Sequence, residues 1–277
     1  MLSTNDHSRD NVGLTYVYPV VSRRAKGVSI GINLNINNAC NWACIYCQVP
    51  NLKRGGPPPI DLDQLEHELR FFLQRITEGD FLLRNAPPDS RRLMDVAFSG
   101  NGEPTTASEF LDAILRVEKV LREMDLINDL KIRLITNGSQ LHRDNVKQGI
   151  ARIGALNGEV WFKIDRATEA GIAIFNGAKR THAQTRKALI KCADLCPTWI
   201  QTCYFAINGQ EANEAEQSAY LNLIESVAPN IKGVHLYGLA RPSLQPDAER
   251  LSNLPENALL RFGRKIAALN VNVLTNP

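Results

Sequence analysis

Apolar positions along the chain alternate between two periods. Short runs rich in β-branched and aromatic residues read as strands, and longer runs with apolar residues three and four apart read as helices. The strand-like runs are VSIGINLNI (28–36), DVAFSG (95–100), LKIRLITNG (130–138), VWFKID (160–165), TWIQTCYFAI (198–207) and VHLYGL (234–239). Between them lie helical patterns at 61–76, 108–124, 142–153, 181–195, 213–227 and 255–269, the first opened by Asp61 as an N-cap. A terminal VNVL (271–274) adds an expected edge strand.

Six strand–helix units with apolar strands imply a parallel sheet covered by helices. Six units cannot close the eight-stranded barrel, so the expected fold is α/β, a partial open (β/α)6 TIM-like barrel. One domain is expected over 28–277, with residues 1–27 as an N-terminal extension. GGPPP (55–59) and APPDS (86–90) read as surface loops. In such barrels chemistry sits where strands end and loops begin. The polar motifs fall there: cysteines after the first strand, SGNGEP after the second, ITNG ending the third and KID ending the fourth.

Composition changes this picture little. The 277 residues are 44% hydrophobic and 22% charged with a net charge of +3, which permits a nucleic-acid or phosphate-bearing substrate without arguing for one. No run of about 18 apolar residues is present, so no membrane helix is expected. The polar start MLSTNDHSRDNVG does not read as a signal peptide. The six cysteines are therefore expected in a reducing compartment, the cytoplasm, where clustered thiols favour metal or redox chemistry.

Cys40, Cys44 and Cys47 form a C-x3-C-x2-C triplet in NACNWACIYCQVP. Three thiolates on so short a loop suit a cubane [4Fe–4S] cluster, one sulfur to each of three irons, with the fourth iron left for an external ligand. Zinc is the competing reading, but it usually takes four closed ligands, and neither His7 nor His67 stands at zinc-finger spacing.

The motif CNWACIYC resembles the cluster loop of the radical S-adenosylmethionine (SAM) superfamily, with Tyr46 as the aromatic residue that packs near the adenine. FSGNGEP resembles its second-strand glycine–glycine–glutamate motif; Asn101 interrupts the pair, so Gly100, Gly102 and Glu103 carry the match. A turn capped by Glu103 is compatible with that role. YPVVSRRAKGVSIGINL, LITNGSQLHRDNV, VWFKIDRAT, IQTCYFAINGQ and VHLYGLARP resemble the branch containing wyosine-type tRNA-modifying proteins and their uncharacterised bacterial members. The resemblance implies a [4Fe–4S] cluster and SAM as cofactors, and reductive cleavage of SAM to a 5′-deoxyadenosyl radical that takes hydrogen from a substrate. It places Thr136, Asn137, Lys163 and Asp165 on the SAM pocket, Asp165 toward the ribose and Lys163 toward the carboxylate. A strand-end salt bridge between Lys163 and Asp165 is the alternative. Gln201 and Tyr237 are weaker pocket candidates.

The wyosine synthases of that branch carry a second cysteine set ahead of the loop. This chain has no cysteine before Cys40, so their pyruvate-dependent tricyclic-base chemistry is not carried over. The expected partners are an electron donor such as flavodoxin or ferredoxin and an unidentified substrate. RNA-base modification, to which the branch points, competes with glycyl-radical activation of a partner protein, which the compact length suits. A non-catalytic iron–sulfur sensor is the reading from another class; Glu103 and Asp165 speak against it. Cys192, Cys196 and Cys203 read as small buried hydrophobes rather than an auxiliary cluster. Arg23 and Arg24 read either as a grip on a phosphate or the SAM carboxylate or as a solvated pair, Arg241 as a candidate for meeting an anionic substrate, and the three tryptophans as packing residues.

Overall fold

The hairpin of β1 (Val17–Ser22) and β2 (Gly27–Ile32) opens the computed structural model, which describes Leu2, residues 12–22 and residues 24–276. His7 and Arg23 lie outside the described residues. Two short parallel strands, β3 (Ala39–Cys40) and β4 (Lys53–Arg54), bracket the cysteine loop. The chain continues through α1 (Leu62–Thr77), α2 (Phe81–Asn85), β5 (Leu93–Phe98), α3 (Phe110–Glu123), β6 (Lys131–Thr136) and α4 (Asp144–Ala155). Then come β7 (Glu159–Lys163), α5 (Glu169–Asn176), α6 (His182–Leu195), β8 (Thr198–Cys203), β9 (Ala206–Ile207) and α7 (Glu214–Val227). β10 (Gly233–Tyr237), β11 (Leu251–Ser252), α8 (Glu256–Ala267) and β12 (Val273–Asn276) complete it.

Eight strands form one curled sheet in the order β1-β2-β5-β6-β7-β8-β10-β12. Every pairing from β2 to β12 is parallel; only β1 runs antiparallel, at the edge. β2, β5, β6, β7, β8 and β10 are each followed by a helix, so the partial (β/α)6 barrel expected from the alternation is the observed fold. The expected terminal edge strand is β12.

Strand periodicity divides the sheet into two unlike faces. Val96 and Phe98, Ile132 and Leu134, Val160 and Phe162, Val234 and Leu236 are fully buried against the helices in the main core. Each such side chain contributes roughly 1.5–3 kcal/mol by leaving water. The alternate residues, among them Asp95, Arg133, Trp161, Lys163, Gln201 and Tyr237, line a cavity on the concave side. The half-barrel therefore has a dry outside and a polar inside.

Local signals place most elements where the pattern predicts them. Asp61 caps α1 by accepting from the Gln64 amide at 2.9 Å, and Thr181 with Gln184 forms a capping box on α6. Three segments differ from expectation. β1 contains Pro19, which is tolerated because the strand lies at the sheet edge. α5 is eight residues long with a nearly continuous apolar sequence, EAGIAIFN, and so carries little helical periodicity. The single strand expected over 198–207 stops at Cys203, and Ala206–Ile207 pairs instead with Leu251–Ser252.

Candidate active site

A cavity of about 310 Å³ opens at the C-terminal ends of the parallel strands. Cys40, Cys44 and Cys47 all line it, together with Tyr46, Gly100, Asn101, Gly102, Glu103, Asn137 and Lys163. The polar motifs that the sequence spreads over four loops are thus brought to one place.

The cysteine loop is tied down from several sides. The Ala43 and Ile45 amides donate to the carbonyls of Asn176 and Phe175 at the end of α5, both at 2.9 Å. Ser243 donates to the Ile45 carbonyl at 2.7 Å, and the Gln245 side chain donates to the carbonyls of Cys47 and Val49 at 3.1 and 2.9 Å. Arg54 donates to the carbonyls of Asn41 and Gly177 at 2.7 and 2.6 Å. The Trp42 amide points at the Cys40 sulfur at 3.4 Å, and the Asn176 side chain at the Cys44 sulfur at 3.3 Å. Burial pushes the Cys40 thiol up to about 11 and the Cys44 thiol up to about 12, so these sulfurs need a cationic partner to become thiolates.

Glu103 is buried behind this loop. One of its oxygens accepts from the Thr105 amide at 3.2 Å, the Thr105 hydroxyl at 2.5 Å and the Thr136 hydroxyl at 2.6 Å. The other accepts from the Asn137 amide alone, at 2.6 Å. A carboxylate oxygen has room for about two donors, so the second oxygen retains capacity. Burial raises the Glu103 carboxyl above its ordinary range despite these donors. The carboxylate also caps the short 3-10 turn Pro104–Thr106, so the expected turn cap is present beside any ligand role.

The glycines around it make room for the chain itself. Gly100 has φ +138°, and a Cβ there would stand 2.4 Å from the Asn33 side-chain oxygen. At Gly102 a Cβ would meet the Ala39 carbonyl at 2.1 Å, just ahead of Cys40. What lies close to Gly102 among the described residues is the start of the cysteine loop. Asn101, between the glycines, donates to the Asn38 side chain at 2.6 Å. Its own carbonyl oxygen is buried with no partner among the described residues.

Lys163 and Asp165 stand 3.8 Å apart, which is the strand-end ion pair. The Asp165 side chain is fully buried and does not line the main cavity. Its oxygens accept from the Tyr46 hydroxyl at 2.6 Å, the Asn176 side chain at 2.9 Å and the Cys203 amide at 3.0 Å. Lys163 donates to the same Tyr46 hydroxyl. Burial works against the Lys163 ammonium, but Asp165 opposes it strongly enough to hold the group above its usual range. Thr136 is buried and points to Glu103, whereas Asn137 faces the cavity and holds the Asn41 side chain at 3.0 Å. Gln201 and Tyr237 line the deeper part of the same cavity.

Cys192 and Cys196 sit in the main core, with the Thr198 hydroxyl 3.6 Å from the first sulfur. Cys203 belongs to a separate cluster with Phe175 and Phe205. These three thiols do not gather at one place. Asn176, Ser243 and Gln245 had no signal in the sequence, because their roles depend on where α5 and the loop after β10 pass the cysteines.

A curled parallel half-barrel with three thiols and a buried glutamate at the C-terminal ends of its strands defines a class. Residues 34–219 match the radical SAM superfamily, and the chain belongs to it. Enzymes of this superfamily work with a [4Fe–4S] cluster and SAM. It is 30% identical to a GTPase Obg of Brachyspira hyodysenteriae over 135 residues, 48% of this chain and 17% of that protein. The chain spans less than half the length of the curated relatives it matches. In fold it is similar to a radical SAM methyltransferase from Sphaerobacter thermophilus, with TM-score 0.63 and 12% identity over 94% of this chain and 68% of that one. It is also similar to TYW1 with a lysine-pyruvate adduct bound, with TM-score 0.56 and 15% identity over 88% of this chain and 74% of that one.

The residues present fit the cofactor pair. Among the described residues no three His, Cys, Asp or Glu side chains converge on one point as a single ion's ligands. Cys40, Cys44 and Cys47 do line one cavity, and a cubane takes each thiolate on a different iron. The unpartnered Asn101 oxygen and the underused Glu103 oxygen supply acceptors on the same cavity.

Proposed function

We propose that Cys40, Cys44 and Cys47 hold a [4Fe–4S] cluster, that SAM binds beside it, and that the protein abstracts hydrogen from an unidentified substrate. The observation that carries this reading is that the three thiols share one cavity with buried, incompletely satisfied oxygens of Glu103 and Asn101. When bound, the pair supplies one-electron cleavage of the SAM sulfonium. The chain's own residues do the rest. Glu103, braced by Thr136, and Asn101 accept from the methionine ammonium; Gly100, Gly102 and Asn137 shape the backbone around it. Tyr46 presents its ring beside the loop, held by Asp165 and Lys163. Asp165 is a brace in this proposal: its side chain is fully buried off the main cavity and holds Tyr46, Asn176 and the Cys203 amide.

The reductant is a low-potential carrier of the flavodoxin or ferredoxin kind. The branch resemblance favours an RNA base over a glycyl-radical partner as substrate, and a single extruded base needs only a cavity of this kind. Reconstituted, reduced protein should convert SAM to methionine and 5′-deoxyadenosine. Protein that holds iron yet leaves SAM intact would favour the sensor reading. Mass spectrometry of RNA and metabolites from a deletion strain then identifies the substrate.

A further inference from the structure

The cavity has a second end. Toward the N-terminal ends of the parallel strands, the turn between β1 and β2 carries Arg24, whose side chain lines the cavity from below. Its guanidinium carbon stands 5.0 Å from the ring centroid of Trp161 and 4.7 Å from that of Tyr237. With the Gln201 amide turned so that its oxygen faces the arginine, that oxygen accepts from two Arg24 nitrogens and, at 3.2 Å, from the Tyr237 hydroxyl. A guanidinium carries five N–H donors and no acceptor. The described residues supply no other acceptor to Arg24.

The charges around it sharpen the point. Arg133 is bound to Asp95 and, at 2.7 Å, to Glu159, and Lys163 faces Asp165 at 3.8 Å. No carboxylate of the described residues pairs with Arg24. His235, between the tilted rings of Trp161 and Trp199 with centroids 4.7 Å from each, is pushed down to about 4 by burial and then by Arg24. Arg24 is half-buried, with two aromatic rings against its guanidinium, and an oxyanion in the cavity would satisfy the donors that Gln201 leaves over.

We infer that Arg24 anchors an oxyanion, a carboxylate or a phosphate, of the substrate portion lying in this cavity. The inference rests on the proposed SAM site, because one cavity lining joins Arg24 to the cysteine loop. The alternative is a plug that merely closes the base of the half-barrel through its two ring contacts. A plug needs no anion.

The test uses SAM-loaded, cluster-reconstituted protein titrated with benzoate, phenyl phosphate and neutral benzamide, read by calorimetry and by tryptophan fluorescence. Wild type should bind at least one acid more than about tenfold more tightly than benzamide. Arg24→Gln should remove that preference, a loss on the order of 10–100-fold for a charged hydrogen-bond partner. Arg24→Lys should keep part of it, since the charge stays and the fork is lost. Preference for phenyl phosphate assigns the anion to a phosphomonoester, and preference for benzoate to a carboxylic acid. Equal binding of acids and benzamide by wild type overturns the inference without reliance on any variant, as does an acid preference that survives in Arg24→Gln. Wild type that binds no SAM sinks the proposed cofactor site instead, which the same samples reveal.

Discussion

Glu103 and Asp165 are both buried carboxylates near the cysteines, and their hydrogen bonds assign them different work. Glu103 keeps one oxygen with a single donor, toward the cavity, so Glu103→Gln should weaken SAM binding by about 1.5–3 kcal/mol, the scale of a charged hydrogen bond. Iron content should not change, because the residue is not among the proposed ligands. Equilibrium binding on reconstituted protein reads both. Asp165 is fully buried off the main cavity, so Asp165→Asn should leave SAM affinity nearly intact. Asp165→Ala strands Lys163, the Tyr46 hydroxyl, Asn176 and the Cys203 amide, and should cost about 3–5 kcal/mol of stability in denaturant unfolding. A variant with normal stability but tenfold weaker SAM binding would return Asp165 to the ribose.

At the scale of elements, the sequence makes the six strand–helix units plain because outward strand positions are apolar and the first helix carries an explicit cap at Asp61. β1 is hidden by Pro19 and α5 by its short apolar run, and with α5 goes Asn176, the side chain that touches both Cys44 and Asp165. Motifs show which residues carry chemistry; they do not show which residues brace them, since bracing depends on contacts between distant segments. The α1–α3 contact gives an element-scale prediction. Glu66 on α1 accepts from Lys119 and Arg116 on α3, both at 2.7 Å, and these bonds hold its carboxyl down to about 2 from 4.5. A folded value below the unfolded one means the stabilisation is full above about 4.5 and fades as pH falls toward 2. Glu66→Gln should lower stability by about 1 kcal/mol at neutral pH, with a difference from wild type that shrinks on acidification below 4.5. Chemical denaturation at a series of pH values checks the sign; a difference that grows on acidification contradicts it.

For the whole molecule, the division between a dry outer face and a polar concave face separates folding from chemistry. The main core lies between the sheet and its helices and includes Cys192 and Cys196, whereas Cys40, Cys44 and Cys47 lie outside it on a loop held by backbone contacts. A core of this size needs no metal to stand. Replacing the three loop cysteines together by Ala should therefore abolish iron binding while far-UV circular dichroism stays native and the melting temperature shifts by only a few degrees. Replacing Cys192, Cys196 and Cys203 by Ala should do the reverse. Iron should remain at about four per chain, since these thiols lie in two separate apolar clusters, while stability drops as buried volume is removed. Iron analysis and thermal unfolding on both triple variants give four readings. Loss of the fold in the loop variant would mean that the cluster is part of the core. A fall from about eight irons to about four in the second variant would reveal an auxiliary cluster and require the chain around β8 to rearrange.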